Sequence, residues 1–243
     1  MDELEREKYK RQILLFGEEG QEKLKNARVF IAGAGGLGSP VSTYLAIAGI
    51  GKIILADFDS VELSNLNRQF LHHEKDLGRN KVESAKEKLL SMNPEIEVEV
   101  IREKLSDANA EEMIPSCDLL VDALDNFEAR YILNRLAVER GIPLVHGAVS
   151  GYDGQVTTIL PGKTPCLYCI FPRSSKKETF PVLGTTPGII GAIQANEVIK
   201  FLTGQGKLLE NRLLFWNGLS ASFSEIKLAK LNNCPVCARH AKG

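Results

Sequence analysis

The sequence predicts a doubly wound α/β fold: a mostly parallel sheet with helices on both faces, extended by antiparallel strands and closed by a four-cysteine zinc staple near its C-terminal end. Three observations lead there. Residues 27–38, ARVFIAGAGGLG, are an apolar strand running straight into a glycine-rich turn that opens a helix. A second strand at 52–56 delivers Asp57 and Asp59 about 20 residues beyond that turn. Strand and turn patterns then recur along the chain, and Cys166-Leu-Tyr-Cys169 and Cys234-Pro-Val-Cys237 bracket the last of them.

The chain begins with a charged helix at 3–12, followed by ILLFG and a second helix at about 18–25. Arg11 by itself reads as an ordinary surface charge. Val29, Phe30 and Ile31 form the first buried strand, and Gly33, Gly35 and Gly38 fit the Rossmann-like G-x-G-x-x-G turn, with Gly36 inside it. Gly33 allows the tight turn, Gly35 lets a phosphate approach the backbone, and Gly38 lets helix and strand pack closely. Leu37, Val41, Leu45 and Ala48 then recur at helical spacing until the glycines at 49–51. Unpaired N–H groups and a positive dipole end make a phosphate the natural guest of that first turn. The motif alone leaves NAD, FAD and ATP open.

Between 58 and 70, Asn65, Asn67, Arg68 and Gln69 crowd polar donors just outside the carboxyl end of the second strand, where open sheets bind ligands. An arginine there can grip a phosphate through two N–H groups. His72 and His73 are adjacent, so they point in different directions, and surface placement is expected for both. A helix at 81–92 carries Val82, Ala85 and Leu89 on one face. Lys81 lies in its first turn against the dipole, which hints at an anionic ligand.

A third strand is expected at 97–102 and a fourth, buried on both sides, at 118–123. Asp125 stands beyond the fourth strand's carboxyl end, a place for a Mg²⁺-binding carboxylate, and Asn126 caps the helix that runs to Arg140. Cys117 reads as a small buried hydrophobe rather than a nucleophile. Strands at 143–149 and 154–160 pair antiparallel. The helix at 187–202 has too much apolar surface for solvent and belongs in the core or a dimer seam, and strands at 212–216 and 222–228 form a last hairpin.

Lysines and arginines number 30 against 31 acids, so no bulk field favours nucleic acid or an anionic membrane. The first residues are charged, and no apolar run approaches the roughly 20 residues that span a bilayer, so a soluble cytoplasmic protein is expected. In that setting two Cys-x-x-Cys pairs argue for thiolates on a metal rather than disulfides. Four of them complete a tetrahedral Zn²⁺ sphere with no open position, a structural metal; a redox Cys-x-x-Cys is the alternative.

Arg11, Gly33-Ala-Gly-Gly-Leu-Gly38, Asp57-Phe-Asp59, Asn65-Leu-Asn-Arg68-Gln69, Gly78-x-x-Lys81, Asp125-Asn126 and the paired Cys-x-x-Cys motifs together resemble the ThiF/MoeB/HesA family, the ubiquitin-activating-enzyme-like adenylyltransferases. The resemblance spans nearly the whole chain in order. It implies a single adenylation domain over 1–243, with N-terminal helices at 1–26, a nucleotide-binding core at 27–149, and antiparallel strands, crossover and zinc site at 150–243. The activity implied is Mg-ATP-dependent adenylation of the C-terminal glycine of a small ubiquitin-like or sulfur-carrier protein ending in Gly-Gly, with release of pyrophosphate.

By the same resemblance Gly33, Gly35, Gly36 and Gly38 line the nucleotide, and Asp57, with Asp59 beside it, holds the ribose. Asn65, Arg68, Gln69 and Lys81 hold the triphosphate, and Asp125, next to Asn126, binds Mg²⁺. In the family's homodimers the residue matching Arg11 reaches into the neighbouring subunit's site. One departure stands out: relatives that form a thioester or persulfide carry a cysteine in the crossover, and residues 176–184 here contain none. Adenylation without a covalent thioester is therefore expected, with the crossover covering the carrier's tail. An NAD(P)-dependent oxidoreductase shares the glycine turn but leaves Asn65, Arg68, Lys81 and Asp125 unexplained. A tRNA-base dehydratase gains nothing from a net charge of −1, and a silent partner subunit would have lost Arg68, Lys81 or Asp125.

Overall fold

A computed structural model of the protein describes residues 1–172 and 181–238. Its centre is an eight-stranded sheet of order β3-β2-β1-β4-β5-β6-β7-β8. The strands are β1 (Arg28–Ala32), β2 (Lys52–Ala56), β3 (Glu97–Ile101), β4 (Leu119–Asp122), β5 (Leu144–Ser150), β6 (Asp153–Ile159), β7 (Arg212–Asn217) and β8 (Ser222–Lys227). The first five run parallel, and β6, β7 and β8 add antiparallel hairpins.

Strand alternation explains why helices cover both faces. In β1, Val29 and Ile31 enter one core with Ile53, Leu55, Leu119 and Val121, while Phe30 and Ala32 enter another with Ile54, Ala56 and Leu120. The first core is roofed by α1 (Glu3–Asn26), α2 (Gly38–Ala48), α3 (Lys81–Met92) and α7 (Thr185–Thr203). The second is covered by α4 (Ala110–Met113), α5 (Phe127–Arg140) and α6 (Leu167–Ile170), with all four paired cysteines inside it. Among the described residues no helix is long and apolar enough to cross a membrane.

Each strand lies within about a residue of its expected place. The expected pair of N-terminal helices is present as α1, with a break at Gly17, whose φ of 73° lies in the left-handed region. The first of them runs on to the break instead of ending at residue 12, because Gln12 is tied to the end of α2 through Ala48 O and Gln21. The apolar helix α7 packs into the core against α2, β5, β6 and α1 rather than waiting for a partner, with Ile190 and Val198 fully buried. The expectation for His72 was wrong. His73 is exposed, but His72 is buried, with both ring nitrogens hydrogen-bonded.

Candidate active site

The order of strands reverses between β1 and β4, and their carboxyl ends flank the crevice where such sheets bind ligands. Gly33 leaves β1 at φ 105°, and a Cβ there would lie 2.5 Å from the Ala123 carbonyl oxygen beyond β4. A Cβ on Gly38 would lie 2.0 Å from the Gly33 carbonyl oxygen, so α2 begins in contact with the strand that feeds it. Both positions demand glycine for steric reasons. Gly35 and Gly36 are the two partly exposed members of the turn.

Asp57 binds the turn directly. Its Oδ2 accepts the Ala34 N–H at 2.8 Å and its Oδ1 accepts the Asp59 N–H at 2.9 Å. Burial pushes the Asp57 carboxyl up, while the Lys81 charge and the two N–H donors act against it. Lys81 arrives because residues 59–61 pair with the start of α3: Val61 donates its N–H to Arg79 O at 2.8 Å, and Lys81 N–H donates to Asp59 O at 3.0 Å. The buried Lys81 ammonium then meets Asp59 Oδ2 at 2.9 Å. That carboxylate offsets the cation's conflict with its own helix dipole.

The loop from 62 to 69 folds as a 3-10 turn, Leu63–Asn65. Asn65 is buried, and its Oδ1 accepts the Glu62 N–H at 3.2 Å. Arg68 is half-buried, with Nη1 donating to Ser64 O at 2.8 Å and to Asn67 Oδ1 at 3.0 Å. Gln69 is buried, and its amide nitrogen would meet a Cβ on Gly35 at 3.4 Å; Arg68 Cγ lies 3.7 Å from the equivalent point on Gly36. The loop therefore lies over the glycine turn.

Asp125 is exposed just past β4, and its Oδ1 accepts from Asn126 Nδ2 at 3.2 Å, while Asn126 Oδ1 caps α5 through the Ala129 N–H at 2.9 Å. Sequence reading missed what holds this turn. Asp122 Oδ1 accepts the Leu124 N–H at 3.1 Å, and Arg130 donates to Leu124 O at 2.5 Å and Gly147 O at 3.2 Å. The Asp122 carboxylate also meets His146 Nδ1 at 2.6 Å. Burial pushes the Asp122 carboxyl up, but the Arg130 charge and the His146 bond outweigh it. The i, i+4 spacing from the Asn126 cap, which turns Arg130 back toward the strand end, was the available signal.

Arg11 is the exception among the expected site residues. It is exposed on α1, and its neighbour Gln12 bonds Ala48 O at the C-terminal end of α2 at 2.8 Å. The glycine turn opens the other end of that 11-residue helix, about 16 Å away. Within one chain, then, Arg11 does not join the others.

The four paired cysteines lie together on the opposite face. Their sulfurs all fall within 4.8 Å of one another, with Cys166–Cys234 at 3.6 Å, Cys169–Cys237 at 3.5 Å and Cys166–Cys169 at 3.9 Å. Zn–S bonds of about 2.3 Å in a tetrahedron separate the sulfurs by about 3.8 Å, so the donor set fits zinc. Purified protein is expected to hold about one zinc per chain, lost on Cys166→Ser with Cys234→Ser. Elemental analysis checks this, and native folded protein free of metal would refute it. Cys117 is half-buried at the edge of the same core, its thiol pushed up to about 11, chiefly by burial, which suits packing and not nucleophilic attack.

The chain is similar to known proteins over nearly its whole length. The model of the ThiF family matches residues 9–236. The chain is 40% identical over 245 residues to the SAMP-activating enzyme E1 of Haloferax volcanii, covering 98% of this chain and 90% of that protein. It is 42% identical over 246 residues to the sulfur carrier protein adenylyltransferase of Thermus thermophilus, covering 96% and 91%. Among solved structures, Escherichia coli MccB with ATP superposes with a TM-score of 0.87 at 29% identity, over 95% of this chain and 74% of that one.

Proposed function

This chain belongs to the ThiF family, and we propose from that premise that it is an adenylyltransferase. In this reading it uses Mg-ATP to adenylate the C-terminal glycine of a small ubiquitin-like or sulfur-carrier protein ending in Gly-Gly, and releases pyrophosphate. The observation that carries the reading is the convergence of the glycine turn, the Lys81–Asp59 pair and the Arg68 loop at the strand-order reversal.

A carboxylate attacking an α-phosphate requires no nucleophile from the protein, only alignment and charge neutralisation as pyrophosphate leaves. Gly35 and Gly36 give the phosphates a close approach to backbone, and Asp57 holds the ribose while bracing the turn. Lys81, Arg68, Asn65 and Gln69 take the triphosphate. Asp125, an exposed carboxylate with Asn126 beside it, fits a hard divalent cation, and Mg²⁺ there neutralises charge on the phosphates when bound. Zinc in the cysteine cluster is structural. Residues 1–243 act as one domain, as a homodimer in the cytoplasm, with no membrane or nucleic acid required.

No cysteine is available for a thioester: four surround the zinc site, Cys117 is packed, and residues 176–184 contain none. Of the crossover expected to cover the carrier's tail, residues 176–180 lie outside the described residues. The test is to capture small proteins ending in Gly-Gly and assay ATP–pyrophosphate exchange with each. Exchange that depends on one carrier, without a nicotinamide response and without a reducible carrier adduct, is the expected result. Exchange with none of them would overturn the reading.

A further inference from the structure

His72 is buried, belongs to no regular element, and no step above uses it. Its Nε2 lies 3.0 Å from Ala34 O in the glycine turn, and its Nδ1 lies 2.9 Å from Ser84 Oγ on α3. Lys88 Nζ donates to the same Ser84 Oγ at 2.9 Å and pairs with the fully buried Asp76. A carbonyl only accepts, so Nε2 carries the proton. In a neutral ring Nδ1 then accepts from the Ser84 hydroxyl, whose oxygen in turn accepts from Lys88. Every group in this chain has a partner when the ring is neutral in that tautomer.

We infer that His72 is a positioning residue for nucleotide binding: by holding Ala34 O from inside, it aims the Gly35 N–H outward at the phosphate position. The reason is the peptide unit itself. All peptides described are trans, and a trans peptide points its C=O and N–H in opposite directions. Ala34 C=O and Gly35 N–H share one such plane. With the carbonyl drawn inward to His72, the amide hydrogen faces the open side of the turn, where Gly35 is partly exposed and its N–H meets no acceptor among the described residues. Asp57 fixes the preceding plane through the Ala34 N–H, so the two side chains clamp adjacent peptides.

The same histidine joins the turn to the helix that carries Lys81, because Ser84 lies one turn after Lys81 on α3. Glycine turn and phosphate-binding lysine are thus held in one frame. The ring's surroundings keep it neutral: burial lowers its pKa, the Lys81 and Lys88 charges act with burial, and the Ala34 bond and Asp76 act against it.

The inference rests on the ATP reading above, and the test separates the two. On wild-type protein, ¹⁵N spectra of the histidine rings at neutral pH are expected to show His72 neutral with its proton on Nε2. A charged ring or an Nδ1–H tautomer overturns the inference whatever the variants do. Calorimetric titration with Mg and a non-hydrolysable ATP analogue then compares His72→Gln, whose amide nitrogen reaches the depth of Nε2, with His72→Asn, which stops at the depth of Nδ1. His72→Asn is expected to bind the analogue about tenfold more weakly and His72→Gln within about twofold of wild type. The carrier's KM should be unchanged in both. Equal loss in the two variants, or none in His72→Asn, defeats the positioning role; wild-type protein that binds no nucleotide defeats the ATP reading with it.

Discussion

Lys81→Met is expected to lower carrier-dependent ATP–pyrophosphate exchange by about a thousandfold or more, and Asp125→Ala to do the same, with both proteins folded and holding zinc. Lys81 is a buried ammonium at a helix start, where it opposes the dipole, and its side-chain partner is the exposed Asp59 carboxylate. Met fills the aliphatic stem's volume and removes the conflict with the dipole. Asp59 is already in contact with water, so losing Lys81 strands no buried charge. Asp125 is exposed, and α5 keeps its cap because Asn126, not Asp125, accepts the Ala129 N–H. Neither substitution therefore has a structural reason to unfold the chain, and loss of exchange with an unchanged melting curve isolates the charge on the triphosphate. Exchange within tenfold of wild type in either variant would remove that residue from the site.

The fold was legible where burial acts on a simple period. Strands such as Val29 to Ile31, and the α2 face bearing Val41 and Leu45, are buried at every expected position, and the glycines that close them bear the steric constraints their spacing implied. What was hidden lies in irregular backbone. His72 follows a buried Leu71 and precedes an exposed His73 in a segment with no period, so nothing local distinguishes the two histidines. The difference is tertiary: only His72 finds both Ala34 O and Ser84. The Asp122–His146–Arg130 cluster was hidden for a related reason. Its members lie on β4, β5 and α5, and only strand pairing brings Asp122 opposite His146. Lys81 was readable as a misfit in its helix, but its neutralising partner Asp59 required the pairing of residues 59–61 with 78–81.

Arg11 calls for a different experiment, because its place at the far end of α2 makes any role at the phosphates a role in another subunit. Leu14 and Leu15, one turn further along α1, are 78% and 79% exposed, an apolar surface suited to burial between copies. Arg11→Ala alone is expected to lose most exchange activity while self-association is no weaker, since Leu14 and Leu15 are left in place. Mixing and re-equilibrating Arg11→Ala with the inactive Asp125→Ala then gives a sharper result. In a two-fold dimer whose sites each combine Arg11 of one chain with Asp125 of the other, a mixed dimer has one site with both residues and one with neither. Half the dimers in an equal mixture are mixed, so activity should return to about a quarter of the wild-type value per chain. If each site instead used both residues from the same chain, every site in the mixture would lack one of them, and activity would stay at the level of the separate variants. Recovery is thus a direct count of whose arginine completes the site, whereas an Arg11→Ala protein that keeps its exchange activity would confine Arg11 to the surface charge that the residues around it suggest.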